Sequence, residues 1–214
     1  MSFVPSRVIH PILIIMLLVG GWQIAEGGYI KAKVWLAQYL LQSAWETARA
    51  GGERVRPWPW ADTWPLARLQ VPRLGVDQII LAGASGRTLA FGPGHMAGTA
   101  EPGAAGNSVV SAHRDTHFRF LQQLQPGDRL ELVTLKGARL SYAVASAEVH
   151  DKSELWLLDQ GQTLLTLITC YPFDAWLPGG PERFVIRAVP LERPILPFAA
   201  SPGNSPGDRQ RVYL

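Results

Sequence analysis

The distribution of apolar residues divides the chain into a helical N-terminal part and a strand-rich remainder. Val8–Ala25 is an almost uninterrupted apolar run, with no formal charge between Arg7 and Glu26. At a rise of about 1.5 Å per residue, a helix of this length nearly spans the hydrocarbon core of a bilayer. We therefore predict a membrane anchor over residues 1–28. A cleaved signal peptide and a buried core helix are the alternatives, although no good small-x-small cleavage site follows the run.

A second helix is predicted over residues 29–52. Tyr29–Ala50 contains neither Gly nor Pro, and apolar residues recur along it at helical spacing. Gly51 and Gly52 end the pattern. The segment is interpreted either as a stalk or membrane-surface helix, or as an amphipathic helix that packs on the following domain.

Residues 53–65 contain three tryptophans and three prolines, which is incompatible with a regular element. Exposed indoles are costly, so these tryptophans are not expected in a structureless linker. We predict a strap that packs on the domain that follows it. A lid, a membrane contact and a partner surface are the alternatives.

From Leu66 onward the chain consists of short runs of β-branched and aliphatic residues bounded by Gly, Pro or Asp. Such runs are typical of strands, and they occupy residues 66–74, 77–82, 107–112, 129–135, 140–149, 162–170 and 183–190. A short helix is predicted over Phe118–Leu124. The pattern indicates a mainly β fold, either a closed barrel or a sandwich. The domain is assigned to residues 66–195, and the Pro-, Gly- and Ser-rich residues 196–214 are predicted to be a flexible tail.

Composition and charge exclude several function classes. The 214 residues include one cysteine, which excludes an intramolecular disulfide and a cysteine-rich zinc site. The formal net charge is only +3 and no Lys/Arg-rich run is present, so nucleic acid is not expected as a partner. The 21 glycines and 17 prolines favour many turns over a helical bundle.

Cys170 closes the run 162–170, which is mostly apolar on both faces. This pattern predicts a central buried strand that ends at the cysteine, because Pro172 cannot continue a strand ladder. A strand end that faces a loop is a suitable place for an exposed nucleophile on a rigid support. The alternative is a small buried apolar residue, which is a common role of cysteine.

His113 follows the predicted strand 107–112. It stands at i, i+4 to His117, a spacing that could bind zinc on a helix. However, Arg114 occupies the place of the glutamate in the HExxH pattern, and His113 lies at a strand–helix junction. The other interpretation is that His113 ends its strand near Cys170 and acts as its acid–base partner.

Arg183 opens the strand that follows the loop after Cys170. If the strands 162–170 and 183–190 are neighbours, Arg183 begins its strand near the place where Cys170 ends the other. A guanidinium group fixed there could stabilise an oxyanion or hold a substrate carbonyl. A surface ion pair with Glu182 is the alternative.

Taken together, these residues resemble those of the sortase family. The run Thr166-Leu167-Ile168-Thr169-Cys170 matches the TLxTC signature, while His113 and Arg183 fit the sortase histidine and arginine. The GPGH stretch at residues 92–95 resembles a segment found in some sortase classes. The resemblance covers about residues 66–191. The Trp58–Trp64 segment and the helix before it resemble the sortase subgroup of Gram-negative proteobacteria.

The resemblance implies an eight-stranded β-barrel and a cysteine transpeptidase. Cys170 is expected to attack a backbone carbonyl in an LPxTG-like C-terminal sorting signal, which forms a thioacyl-enzyme that an amine resolves. His113 would protonate the leaving amine and deprotonate the incoming one, and Arg183 would bind the substrate backbone and the developing oxyanion. Thr169 and Asp115 are further candidates for binding substrate, and Asp115 could also orient His113 or an arginine.

The implied partners are a protein substrate with a C-terminal sorting signal, an amine acceptor and the inner membrane. No metal or organic cofactor is expected. A single-pass anchor would hold the catalytic domain on the periplasmic side. An L,D-transpeptidase would show His-Gly-Cys at the nucleophile, where Ile168-Thr169-Cys170 stands. The non-enzyme alternative is an anchored β-domain that only binds a partner, and it predicts an inert Cys170.

Overall fold

The structure is a computed structural model that describes residues 6–51, 54–154, 161–177 and 179–191. The predicted tail, residues 196–214, lies outside these ranges. The helices are α1 (Ser6–Gly51) and α2 (Gly86–Leu89), with 3-10 turns at Pro72–Leu74 and Arg119–Gln123. The strands are β1 (Pro65–Val71), β2 (Val76–Ala82), β3 (Gly94–His95), β4 (Asn107–Ser111), β5 (Arg129–Thr134), β6 (Arg139–Asp151), β7 (Leu164–Cys170) and β8 (Glu182–Pro190).

The described parts of the two helical segments predicted at the N-terminus form one continuous helix. Helix α1 runs for 46 residues, and the glycine pair at residues 27–28 does not interrupt it. Part of Leu13–Gly51 is long and apolar enough to cross a membrane, and none of that window is buried inside the protein. By length and composition, α1 therefore qualifies as a membrane anchor or a signal sequence.

The C-terminal end of α1 packs on the barrel. Leu41, Ala44, Trp45 and Ala48 are buried, and their i, i+3, i+4, i+7 spacing places them on one face of the helix. The side-chain amide of Gln38 also donates, through Nε2, to the Phe91 carbonyl at 2.9 Å. Of the two interpretations of this segment, packing on the following domain therefore holds from about residue 38 onward.

The Trp/Pro-rich segment also contacts the barrel. The Trp58 ring meets Phe91 edge-on at a centroid distance of 4.8 Å. The Thr63 hydroxyl donates to the Ala82 carbonyl at 2.8 Å, and the Trp64 carbonyl accepts from the Ala82 amide at 2.9 Å. The described part of the segment is therefore strapped onto β2, although Trp60 stays 83% exposed.

The eight strands close into a barrel with the order β1-β2-β3-β4-β7-β8-β6-β5. Strand β7 is parallel to β4 and antiparallel to β8. The main core fills the interior and includes Leu165 and Leu167 from β7 and Ile186 and Ala188 from β8. The fold class predicted from the sequence, an eight-stranded barrel, is confirmed.

Strand β7 is buried on both faces, as its apolar sequence predicts. Its odd-numbered leucines face the main core, whereas Ile168 packs with Val109 and Val185 in a separate apolar cluster. Cys170 shares the side of Ile168, because alternate residues of a strand point the same way. The nucleophile candidate therefore lies on the outer face of the barrel.

The sequence does not predict strand β3, because a strand of two residues is too short to show any periodicity. It pairs with β2 in parallel and with β4 antiparallel, and it therefore completes the closed sheet. A Cβ atom at Gly94 would lie 2.3 Å from the Gly83 carbonyl oxygen. Only glycine allows this close approach, which explains the glycine before His95 in the GPGH stretch.

Candidate active site

Cys170 is the last residue of β7 and carries a free thiol that is half-buried. Every residue of β7 before it is buried, so the strand is a rigid support. Beyond Cys170 the chain leaves the barrel in a loop, residues 171–181, which we call the β7–β8 loop. This placement agrees with the predicted strand-end nucleophile.

His113 lies two residues beyond the end of β4, which is the strand beside β7. Ser111 is the register partner of Ile168, and the Ala112 amide donates to the Ile168 carbonyl at 3.2 Å. Continuing this parallel register by two residues brings His113 level with Cys170. The His113 side chain is exposed. The topology therefore places the predicted acid–base residue just beyond the end of the strand that neighbours β7.

Thr169 links these two strand ends from inside the protein. Its side chain is buried, and its hydroxyl donates to the Ala112 carbonyl at 2.7 Å. Ala112 directly precedes His113, so this bond fixes the backbone from which the histidine projects. The hydroxyl acts within the protein here, whereas the sequence predicted Thr169 as a substrate-binding candidate.

Arg183 is the direct partner of Cys170 in the antiparallel β7–β8 pair. Residues that face each other in this way carry their side chains on the same face of a sheet. The Nη1 atom of Arg183 donates to the carbonyls of Gly180 and Glu182 at 2.7 and 2.8 Å. Arg183 therefore contacts the Glu182 backbone rather than forming the surface ion pair considered from the sequence.

Asp115 lies on the turn after β4 with 68% of its side chain exposed. Its Oδ1 atom is 3.4 Å from Nε of Arg114, at the long limit of a hydrogen bond. The structure thus places Asp115 beside Arg114, and its role in orienting an arginine stays a prediction.

Arg114 is a residue of the site that sequence reasoning overlooked. Its side chain is only 4% exposed. Its Nη1 atom donates to the Pro172 carbonyl at 2.8 Å, and its Nη2 atom donates to the carbonyls of Ala175 and Leu177 at 2.7 and 2.9 Å. In the sequence, an arginine next to a histidine suggests a surface charge. Only the tertiary structure reveals that the Arg114 side chain is buried. Its position beside His113 was the available signal.

His117 is close enough to His113 for their charges to interact. Burial lowers the pKa of His117 below its usual value, and the nearby His113 lowers it further, while a hydrogen bond with the Ala90 backbone opposes the shift. Within the described residues, no group of three or more His, Cys, Asp or Glu side chains could hold a metal ion.

The family of the chain follows from comparison with known proteins. The family model described as "Sortase domain" matches residues 69–191, which is more than half of the chain. The chain belongs to the sortase family. The matched residues include His113, Cys170 and Arg183, together with β4, β7 and β8.

This sortase is similar to two kinds of known protein. Sortase D of Bacillus subtilis is 32% identical over 120 residues, which cover 55% of this sortase and 60% of that protein. A solved sortase D5 transpeptidase of Clostridium perfringens has a TM-score of 0.59 at 23% identity, with 73% of this chain and 99% of that one covered. Sortase A of Corynebacterium diphtheriae has a TM-score of 0.56 at 23% identity, with coverages of 75% and 87%. At these identities the two structures support the fold of this sortase.

Proposed function

We propose that this sortase is a cysteine transpeptidase that cleaves an LPxTG-like C-terminal sorting signal and transfers the cleaved protein to an amine. The observation that carries the proposal is the arrangement of three strand ends. Cys170 and Arg183 face each other across β7 and β8. The β4–β7 register ends at the Ser111–Ile168 pair, and its continuation by two residues would bring His113 level with the thiol. Membership of the family supports the same chemistry.

In the first half-reaction the Cys170 thiolate attacks the carbonyl carbon of the scissile peptide bond. The tetrahedral intermediate collapses with cleavage of the C–N bond, and protonated His113 gives its proton to the leaving amine. The product is a thioester between Cys170 and the new C-terminus of the substrate. A nearby cation, either the imidazolium or the Arg183 guanidinium, favours the thiolate over the thiol.

In the second half-reaction an incoming amine attacks the thioester carbonyl. His113 takes the proton of the amine, the C–S bond breaks and the Cys170 thiolate is regenerated. Arg183 would face the oxyanion in both steps and hold the substrate backbone. We further propose that Asp115 and Thr169 assist substrate binding, Asp115 from its exposed position and Thr169 by fixing the turn that carries His113.

We infer that α1 anchors the enzyme in the inner membrane and holds the barrel on the periplasmic side. The apolar, unburied window of α1 supports an anchor. Since the substrate would also be held in the membrane, anchoring raises the effective concentration of both partners. Placement in the subgroup of Gram-negative proteobacteria is proposed on the Trp58–Trp64 segment. A C-terminal reporter that is active only outside the cytoplasm would test the orientation.

The reaction is tested by incubating the full chain, in detergent micelles, with LPxTG-type peptides and a short peptide amine. Mass spectrometry should detect both the thioacyl-enzyme and the amide product. Cys170→Ala should abolish both species, and Arg183→Gln should lower kcat by about 100-fold or more. Arg187→Gln is the matched control, because Arg187 lies on the same face of β8 but pairs with Thr166 rather than Cys170.

Two results would contradict the proposal. Cleavage that persists in Cys170→Ala would remove the nucleophile from the mechanism. A thiol that fails to react with alkylating reagents in the folded wild-type protein would favour the anchored binding domain instead.

A further inference from the structure

The β7–β8 loop is held by arginine side chains at both of its ends. From the His113 side, Arg114 donates to the carbonyls of Pro172, Ala175 and Leu177. From the β8 side, Arg183 donates to the carbonyls of Gly180 and Glu182. Two guanidinium groups therefore bind the backbone of the segment that joins the nucleophile to the oxyanion-binding arginine.

Arg114 is well suited to hold this loop. It is buried, and a buried cation is stabilised only when its donors are paired with hydrogen-bond acceptors. The planar guanidinium can reach three carbonyls at once in a fixed geometry, which a lysine ammonium on a flexible stem cannot reproduce. The nearby Asp115 carboxylate is mostly exposed, so the loop carbonyls are the main partners of the buried charge.

The loop has little apolar packing of its own at its tip. Trp176 is 96% exposed and Leu177 is 74% exposed. A loop with few buried contacts has low local stability and opens easily. The carbonyls on either side of Trp176 are the ones bound by Nη2 of Arg114. These bonds therefore fix the backbone where side-chain packing does not.

Arg183 cannot hold the loop and bind the transition state with the same donor. Among the described residues, its bond to the Gly180 carbonyl of the loop and its bond to the Glu182 carbonyl at the start of β8 both come from Nη1. If Nη1 is the donor that turns toward a substrate carbonyl, these bonds weaken or break. Arg114, which directly follows His113 in the chain, is then the arginine that still holds the loop.

We propose that Arg114 is a positioning residue that keeps the β7–β8 loop in place while Arg183 engages the substrate. Its guanidinium couples the turn carrying His113 to the loop that leaves Cys170. The proposal rests on the function proposed above for Cys170, His113 and Arg183. Arg114 itself does not touch the reacting atoms, so its loss should change the fraction of correctly arranged sites more than the affinity for substrate.

The kinetic test compares Arg114→Gln and Arg114→Lys with wild type, each at a temperature where circular dichroism shows it folded. Arg114→Gln should lower kcat by about 10- to 100-fold with a change in KM below about threefold, because small misplacements of catalytic groups are costly. Arg114→Lys, which keeps the charge, should recover part of the loss. Arg73→Gln is the matched control, since Arg73 also donates to a backbone carbonyl, that of Gln123, and should leave kcat unchanged.

Hydrogen exchange on the full chain in detergent tests the same proposal without substrate. In Arg114→Lys the amides of residues 171–177 should exchange at least tenfold faster, while those of β7 should keep their wild-type rates. If Arg114→Gln does not fold, Arg114→Lys still gives both readouts. Wild-type kcat together with wild-type exchange in Arg114→Lys would overturn the proposal. Faster exchange in Arg114→Lys, together with a wild-type enzyme that processes no peptide, would instead contradict the proposed function alone.

Discussion

The Thr169 hydroxyl lies inside the barrel between the strands that carry the thiol and the histidine. It donates to the Ala112 carbonyl at 2.7 Å, and the Thr169 side chain is buried. Thr169→Val keeps the shape but leaves this carbonyl without its partner, which costs about 1–3 kcal/mol in the free energy of unfolding. Because the backbone before His113 is then free to shift, kcat should also fall, by about tenfold.

Urea denaturation and steady-state kinetics on Thr169→Val check both effects. Thr169→Ser keeps the hydroxyl and serves as the control, so it should retain most of the activity. A loss of kcat in Thr169→Ser without a loss in Thr169→Val would show that the methyl group, rather than the hydroxyl, supports the site.

His117 should make stability depend on pH near neutrality. Its pKa in the folded state lies below the usual 6.5, and burial is the largest cause of this shift. Below pH 6.5 the unfolded chain therefore binds more protons at this residue than the folded protein, so stability falls as the pH decreases. Wild type should lose more stability than His117→Gln between pH 7 and pH 5, as measured by thermal unfolding in both buffers.

A carboxylate with a lowered pKa changes the stability of the protein at a more acidic pH than His117 does, so it does not interfere with this comparison. The hydrogen bond from Arg73 holds the pKa of Asp128 below its usual 3.8, so its contribution is lost only at more acidic pH. Parallel pH profiles of wild type and His117→Gln between pH 7 and pH 5 would refute the effect of His117.

At the scale of elements, the strands could be predicted because each is a run of aliphatic residues bounded by turn residues. Strand β7 shows this most clearly, since its apolar pattern predicted burial on both faces and a cysteine at its end. The two-residue β3 has too little sequence to carry a pattern. The continuity of α1 was also missed, because paired glycines suggest a boundary that the helix does not have.

The candidate site, like the strands, could be predicted only in part from the sequence. His113, Cys170 and Arg183 could be chosen from sequence because each stands at a predicted strand end next to a loop. Their adjacency could not be derived, because it depends on the strand order that places β7 between β4 and β8. Arg114 was missed because its partners are backbone carbonyls, which leave no trace in the sequence.

The docked face of α1 should contribute strongly to stability, whereas its outer face should not. Trp45 is 1% exposed against the barrel, and Trp35 on the same helix is 70% exposed. Trp45→Ala should lower the free energy of unfolding by about 3–5 kcal/mol, while Trp35→Ala should change it by less than about 0.5 kcal/mol. Urea unfolding of the full chain in micelles compares the two, and equal effects would mean that α1 does not dock through this face.

At the scale of the whole molecule, α1 connects the proposed membrane span to the barrel without a break. Its residues are exposed from 29 to 36, and the barrel contacts begin near Gln38. A continuous helix of this kind sets the height of the active site above the bilayer at about 1.5 Å per residue. A sorting signal held near the same bilayer should therefore be processed best when this height is unchanged.

Two insertions of equal length after Ala32 separate rigid height from simple reach. Fourteen helix-forming residues would raise the barrel by roughly 21 Å, whereas fourteen Gly/Ser residues form a flexible chain that can fold back. The helical insertion should reduce processing of a membrane-held substrate more than the flexible one, while both variants keep wild-type kcat on a soluble peptide. Since neither insertion touches the barrel, equal processing by both variants would mean that the helix acts only as a tether, and that the site needs nearness to the membrane but no defined height above it.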